Sequence, residues 1–426
     1  MELYTIYQKH PNVSIDTRRI EGGEIYFALK GENFDGNQFV EQALEKGAAH
    51  VVCNASEWSN HPHCTVVDDP LATLQELARE HRRRFEGKVI GLTGSNGKTT
   101  SKELLREILK QKYTVQATRG NLNNHIGVPL TVLELRDETE IAIIEMGANH
   151  QKEIEFLCTI SQPDMGFITN YGKAHLEGFG GVEGIVKGKS ELYEYLKTRP
   201  DTIAFFDADD PKMNQRSEGI AQRMTWSKKN SKADLHIDGE LKKGFVHARW
   251  NDQYVATQLQ GMYNLGNIAY AILIGKHLGV SDSSIAKGLE EYTPNLNRSQ
   301  FQKTDKNELI VDCYNANPDS MDGALENLST HQHEHKWAIL GDMFELGAES
   351  AAEHRKTIEQ AKAGKFEQVI LVGEHFYREA ASEESLMVFK TTEEAYDYLN
   401  KKAPDQKLIL IKGSRGMALE KLIPVL

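Results

Sequence analysis

The sequence predicts an α/β protein of three domains: a small module over 1–86, a central phosphate-loop (P-loop) domain over 87–297, and a C-terminal doubly wound, Rossmann-like domain over 298–426. Three observations carry this. The apolar run Val89-Ile90-Gly91-Leu92 enters the turn Thr93-Gly94-Ser95-Asn96-Gly97-Lys98-Thr99-Thr100, which opens a helix. From about Arg298 five apolar strands alternate with helical stretches. At 426 residues the chain is also too long for one hydrophobic core.

Leu104, Leu105, Ile108 and Leu109 fall on one helical face, so a helix is expected from Gly97 to about Lys112. Its first N–H groups and positive dipole end would face an anion. Gly94, Ser95, Asn96, Gly97, Lys98, Thr99 and Thr100 are thus read as a phosphate cradle. Lys98 would reach the β/γ-phosphates, and the Thr99 hydroxyl would meet the accompanying Mg²⁺. Leu92 stands where the strict pattern has glycine, so the loop is a variant.

No apolar run is long enough to span a membrane, and Met1-Glu2-Leu3-Tyr4 does not open a secretory signal, so a cytoplasmic protein is expected. Cys53, Cys64, Cys158 and Cys313 show no metal or disulfide spacing and are expected reduced. Fifty basic against 62 acidic residues leave −12, which argues against a nucleic-acid partner. The cluster His81-Arg82-Arg83-Arg84 is read as the solvated end of a helix or a linker.

In the first module, strands are expected at 24–29, 49–52 and 64–67, and helices at 37–46 and 71–85, with polar strand-end loops at 14–19 and 30–36. In the second, strands are expected at 113–115, 141–147, 165–170 and 202–207. Uninterrupted apolar strands belong in a parallel sheet covered on both faces. Glu145 ends one of them, where open α/β sheets bind ligands. It is either a surface acid or, with the phosphate loop beside it, a metal-linked one. The glycine-rich stretch 171–181 reads as a loop carrying His175 and Glu177. Residues 184–197 read as a helix whose Lys187, Lys189, Glu191 and Glu194 mark a solvated face. β-Hairpins are expected over 233–260, then helices at 264–278, with Ile268, Ala271, Ile272 and Ile274 inward, and at 281–292. The third region places strands at 309–312, 337–340, 369–372, 386–389 and 408–411, with helices near 319–329, 350–363, 374–381 and 392–402.

Several stretches carry a resemblance together. They are Asp16-Thr17-Arg18, the run 28–36, the phosphate loop, the run 121–129, Glu145-Met146-Gly147-Ala148, Ala174-His175-Leu176-Glu177 and Lys187-Gly188-Lys189. The C-terminal part adds Tyr314-Asn315-Ala316-Asn317-Pro318, Gly341-Asp342-Met343-Phe344-Glu345-Leu346-Gly347 and Lys412-Gly413-Ser414-Arg415. Spread over the whole chain, these resemble the ATP-dependent Mur ligases of peptidoglycan synthesis, and the two longer C-terminal motifs resemble the D-alanyl-D-alanine-adding branch.

The resemblance implies an ADP-forming amide ligase using ATP and two Mg²⁺, with UDP-N-acetylmuramoyl-tripeptide and D-alanyl-D-alanine as substrates and an acyl phosphate between them. It assigns catalysis to Lys98, His175 and Lys189, the first ion to Thr99 and Glu145, and the second to His175 and Lys189. The family's matching lysine is carbamylated; Lys187 is the neighbouring alternative, but the spacing to Leu192-Tyr193 favours Lys189. Asn264 and Asn267 would meet the adenine, Arg298 and Asp312 the nucleotide from the third domain, and Tyr314, Asn315, Asn317 and Arg415 the dipeptide. Thr17, Arg18, Lys30 and Asp35 would grip the UDP-sugar. A monomer is expected. The competing expectations are another amide-forming relative, such as a diaminopimelate- or lysine-adding Mur ligase or a folylpolyglutamate synthase, and a nucleotide-binding regulatory protein. Tyr263, Asn37 and Asn297 depart from the residues common in the family, in details of base and uracil recognition.

Overall fold

The computed structural model describes residues 2–294, 297–380 and 386–426. The first module contains α1 (Glu2–Lys9), β1 (Val13–Ser14), β2 (Ile25–Phe27), a hairpin of β3 (Lys30–Gly31) and β4 (Phe34–Asp35), α2 (Val40–Glu45), β5 (His50–Cys53), β6 (Cys64–Val66) and α3 (Pro70–Arg84). Strands β1, β2, β5 and β6 form a parallel sheet in that order. Helix α3 starts where Asp69 accepts from the Leu71 and Ala72 amides and Pro70 supplies a preset φ. Helix α1 has no counterpart among the elements expected from sequence. Its Leu3, Tyr4 and Tyr7 are buried, but eight residues with a polar majority show too little periodicity. The basic cluster is only half solvated: Arg83 and Arg84 pair with glutamates in the open, whereas Arg82 is buried, its guanidinium on backbone carbonyls and Asp164.

The central domain runs β7 (Lys88–Thr93), α4 (Lys98–Leu109), β8 (Val115–Ala117), α5 (Gly127–Leu133), β9 (Ile141–Glu145), α6 (Glu153–Ser161), β10 (Met165–Ile168), α7 (Leu176–Phe179), α8 (Val182–Lys197), β11 (Ile203–Asp207), α9 (Pro211–Arg216), β12 (Gln222–Ser227) and β13 (Leu235–His236). Seven parallel strands lie in the order β13-β12-β11-β10-β7-β9-β8. Alternate residues serve opposite faces: Ile90, Leu92, Ile141 and Ile143 pack with the α4 side, Val89, Ala142 and Ile144 with the α6 and α8 side. An antiparallel unit follows, β14 (Asp238–Lys242), β15 (Phe245–Trp250) and β16 (Gln253–Gln260), then α10 (Leu265–His277) and α11 (Asp282–Glu291).

Three expectations are corrected here. Of the stretch 233–260, residues 235–236 form the last parallel strand, and only 238–260 is antiparallel. The 171–181 loop contains the short helix α7. The charged stretch of α8 is not a solvated face: Lys187 and Glu194 are exposed, but Lys189 and Glu191 are buried. At 3.6 residues per turn Lys189 points away from the other three, and Glu191 is covered where it accepts from the Lys152 and Glu155 amides at the start of α6.

The third domain contains β17 (Gln300–Lys303), β18 (Glu308–Asp312), α12 (Pro318–Thr330), β19 (Lys336–Gly341), α13 (Ser350–Ala363), β20 (Gln368–Val372), α14 (Glu374–Glu379), β21 (Met387–Phe389), α15 (Thr392–Lys401) and β22 (Leu408–Lys412). The order is β17-β18-β22-β19-β20-β21, parallel except for the edge strand β17. That antiparallel edge was not expected from sequence; Gln300 and Gln302 interrupt its apolar character. Ala381, expected to end the helix at 374–381, lies outside the described residues. No helix among the described residues is long and apolar enough to cross a membrane.

Candidate active site

A cavity of about 1170 Å³ lies where the carboxyl ends of the central strands face the third domain. The phosphate loop forms its floor. Gly94 and Gly97 hold φ of +144° and +79°, and a Cβ at either would fall 1.9 Å from Thr169 Oγ1 or 2.3 Å from Asn267 Oδ1. Glycine is therefore required at both. The loop is pinned from the end of β10: Asn170 Oδ1 accepts from the Asn96 amide at 3.1 Å, and Thr169 Oγ1 donates to Asn96 O at 2.6 Å. Leu92 is fully buried on the α4 side, so the variant position is filled by core.

Lys98 Nζ donates to Gly94 O at 2.8 Å and Ser95 O at 3.1 Å. Burial pulls this ammonium down to about 8; the Glu145 carboxylate opposes the shift and Arg298 adds to it. Glu145 is buried, with Oε1 accepting from Asn123 Nδ2 at 2.8 Å and Thr99 Oγ1 at 3.3 Å. Its Oε2 is buried without a hydrogen bond, and Lys102 Nζ stands 3.6 Å away. Lys102 is itself buried and donates to Thr118 O at 2.6 Å.

His175 lines the cavity with φ of +55°, its Nδ1 against the Glu345 carboxylate of the third domain. Burial lowers its pKa; Glu345 opposes this, and the cations Lys98 and Lys189 add to it. Lys189 is 1% exposed, donates to Ala148 O at 2.9 Å, and lies 4.9 Å over the Phe179 ring. Burial carries its pKa well below the ordinary lysine value, with Lys98 reinforcing and Glu153 and Glu191 opposing.

The opposite walls come from α10 and the third domain. Asn264 Oδ1 accepts from Asn267 Nδ2 at 2.7 Å, and Asn267 Oδ1 accepts from Ser101 Oγ at 3.0 Å. The Arg298 guanidinium stacks 3.7 Å over the Tyr314 ring, with its Nε buried and unbonded. Asp312 accepts from Lys412 Nζ at 2.6 Å and from the Ser299 amide at 2.9 Å. A glycine-loop anion cradle, a buried carboxylate beside a hydroxyl and a stacked guanidinium in one cleft are equipped to hold a nucleotide triphosphate.

Three family models divide the chain: "Mur ligase family, catalytic domain" over residues 10–84, "Mur ligase middle domain" over 92–275, and "Mur ligase, glutamate ligase domain" over 297–415. The chain belongs to the Mur ligase family.

Among its relatives, this Mur ligase is 34% identical to the UDP-N-acetylmuramoyl-tripeptide–D-alanyl-D-alanine ligase of Bacillus subtilis, over 96% of this chain and 92% of that protein. It is 32% identical to the ligase of the same name from Escherichia coli, over 97% and 93%. Its fold matches a crystal structure of MurF from Acinetobacter baumannii with a TM-score of 0.87 at 32% identity, covering 98% of this chain and 97% of that one. The MurF ligase of Thermotoga maritima in complex with ADP matches at 0.85 and 27% identity, over 97% and 96%.

Most residues singled out in the sequence of this Mur ligase converge on the cavity: Ser95 to Thr100, Glu145, His175, Asn264, Asn267, Arg298, Asp312, Tyr314, Asn315 and Asn317 line it. Gly94 and Lys189 are not among the lining residues, but each is bonded to one, Gly94 O to Lys98 and Lys189 Nζ to Ala148 O. Asn317 is also the N-cap of α12, and its carboxamide exchanges hydrogen bonds with Asn96 at 2.7 and 3.2 Å. Arg415 does not reach the cavity lining and pairs with Glu420 at 2.7 Å. Thr17, Arg18, Lys30 and Asp35 lie apart in the first domain. Thr17 Oγ1 donates to Gln42, Arg18 chelates Asp16, and Lys30 stands 3.6 Å from Asp35 across the β3–β4 hairpin. Sequence reading missed Lys102, Asn123, Thr169, Asn170, Lys412 and Glu345 as site residues. Asn123, Glu345 and Lys412 stand within quoted motifs, which was the available signal; Lys102 carries none beyond lying one helical turn after Lys98.

Proposed function

We propose that this Mur ligase joins D-alanyl-D-alanine to UDP-N-acetylmuramoyl-tripeptide at the expense of ATP, in the cytoplasm, as a step of peptidoglycan precursor synthesis. The observation that carries this reading is full-length similarity to ligases named for that reaction, together with a cavity that joins the phosphate loop to the third domain. The tripeptide carboxylate attacks the γ-phosphorus in line, ADP leaves, and the acyl phosphate is then attacked by the dipeptide amine, which gives up a proton as the amide forms and phosphate departs. Lys98 and the loop amides hold the phosphate oxygens, Asn264 and Asn267 meet the base, and Arg298 and Asp312 hold the nucleotide from above. Tyr314, Asn315 and Asn317 receive the dipeptide, with Arg415 joining them once its side chain leaves Glu420, while Thr17, Arg18, Lys30 and Asp35 receive the UDP-sugar. The docked third domain keeps water from the acyl phosphate.

The unbonded Glu145 Oε2 and the adjacent Thr99 hydroxyl supply the hard oxygen donors that Mg²⁺ takes. When bound, Mg²⁺ neutralises charge on the transferred phosphoryl group. A second ion would be held by His175 and Lys189, but an amine is a poor magnesium ligand. The depressed pKa of Lys189 leaves its nitrogen free to add to CO₂ with loss of a proton, forming a carbamate with two oxygen donors. Addition of ¹³C-bicarbonate is expected to give a carbamate carbon resonance that Lys189→Met abolishes; an active enzyme without that signal refutes the modification.

The activity is tested by a coupled assay for ADP. ADP release is expected only when the UDP-linked tripeptide and D-alanyl-D-alanine are both present, and release indifferent to the dipeptide would overturn the reading.

A further inference from the structure

We propose that Glu345 is a positioning residue for His175, supplied from the third domain, so that the imidazole is set for the reaction only when that domain is docked. This rests on the reading of His175 as a residue of the reaction site. A carboxylate only accepts hydrogen bonds. Its oxygen stands against Nδ1 at ion-pair range without a hydrogen bond's alignment; once the ring turns to align, that bond fixes the proton of the neutral ring on Nδ1 and leaves the lone pair on Nε2.

The contact is built from both sides. His175 and Glu345 each hold a left-handed backbone, φ +55° and +62°, which non-glycine residues rarely adopt. Such conformations persist where the surroundings over-determine them, commonly at functional contacts. The motif Gly341–Gly347 leading to Glu345 is anchored. Asp342 accepts from the amides of His375 and Phe376 at 2.9 Å each, the Met343 amide donates to His354 Nε2 at 3.1 Å, and the Phe344 amide donates to Ser414 Oγ at 3.0 Å. Glu345 is the residue this frame projects across the seam.

The receiving segment is gripped by the same domain along its length. The Lys173 amide donates to Asp319 at 2.6 Å, Lys173 Nζ to Glu353 at 2.6 Å, and the Glu177 amide to Glu345 O at 3.3 Å. The Glu345 side chain is 52% exposed and that of His175 22%. A contact whose carboxylate is so open to solvent adds little to stability, so its worth lies in orienting the ring.

The test compares Glu345→Asn, Glu345→Gln and His175→Ala. Asparagine suits the left-handed backbone but is too short to reach; glutamine keeps an acceptor oxygen. In E345N, kcat is expected to fall ~10–100-fold while KM for ATP stays within ~3-fold, with E345Q recovering at least about a third of kcat. Selective ¹⁵N-histidine spectra should show the His175 proton leaving Nδ1 in E345N. A fluorescence distance between the second and third domains, read with ADP and Mg²⁺, should match wild type because the Lys173 and Asn96 contacts remain. E345N with wild-type kcat or unchanged His175 nitrogen shifts, beside an inactive H175A, overturns this inference alone. Loss of the docking distance in step with kcat also overturns it, making Glu345 a latch. H175A with wild-type turnover overturns both the inference and the reading beneath it.

Discussion

Where the first domain meets the central one, most side-chain bonds reach backbone carbonyls; where the third meets it, most run from side chain to side chain. On the first seam Arg82 donates to Ser161 O and Gln162 O at 2.9 Å each, Tyr7 OH to Leu133 O at 2.6 Å, and Gln75 to His125 O at 3.0 Å. On the second lie Asn96 with Asn317, Lys173 with Glu353, Tyr263 with Ser299, and His175 with Glu345. A backbone carbonyl inside a helix or strand end cannot turn away, and a buried donor there loses heavily if it is released. Paired side chains that reach solvent can exchange one another for water at little cost. The difference teaches that the central domain carries the first domain as fixed structure and the third as a docked one.

The largest expected effect falls on the fixed seam. Arg82→Met removes a buried guanidinium and takes away the ion-pair partner of Asp164; it is expected to cost about 3 kcal/mol in urea unfolding. A loss below about 1 kcal/mol, the range of exposed pairs, would break the comparison. On the docked seam Asn317→Ala removes the capping box of α12 and the Asn96 pair, with an expected loss of about 1 kcal/mol read by thermal denaturation. A loss as large as that of R82M would show that the second seam is fixed too.

A pH dependence sharpens the contrast. Folding lowers the Lys98 pKa from 10.5 to about 8, so between these values the unfolded chain binds the extra proton and stability rises with pH; below about 8 the burial cost is borne in full. Relative to Lys98→Met, wild type is therefore expected to gain stability as pH rises from about 8 towards 10. Arg298, from the docked side, contributes to that depression, so Arg298→Gln should shrink the gain. An unchanged gain in R298Q would separate the third domain's charge from the phosphate loop.

Much of the fold was legible because its signals are local. Ile141 to Ile144 read as a doubly covered strand from composition alone, and Gly94 and Gly97 announced a loop that their backbone angles require. What was not legible depends on partners distant in sequence. The charges of α8 looked like a solvated stripe, because nothing local says that Lys189 is covered by Ala148 and Phe179. Arg82 looked like its neighbours Arg83 and Arg84, and only the position of Asp164 tells them apart. His175 was named by resemblance, whereas its partner Glu345 follows from how two domains meet.

The crowding at Gly97 has a consequence for inheritance. Any side chain there would meet Asn267 and would also have to adopt a left-handed backbone. A replacement at 97 becomes tolerable only after a change at 267, and even then only for the few residues at ease with that φ. The two positions, distant in sequence but touching in the fold, should therefore behave as an epistatic pair. The first step of any path away from this phosphate loop is then one that selection sees as a loss.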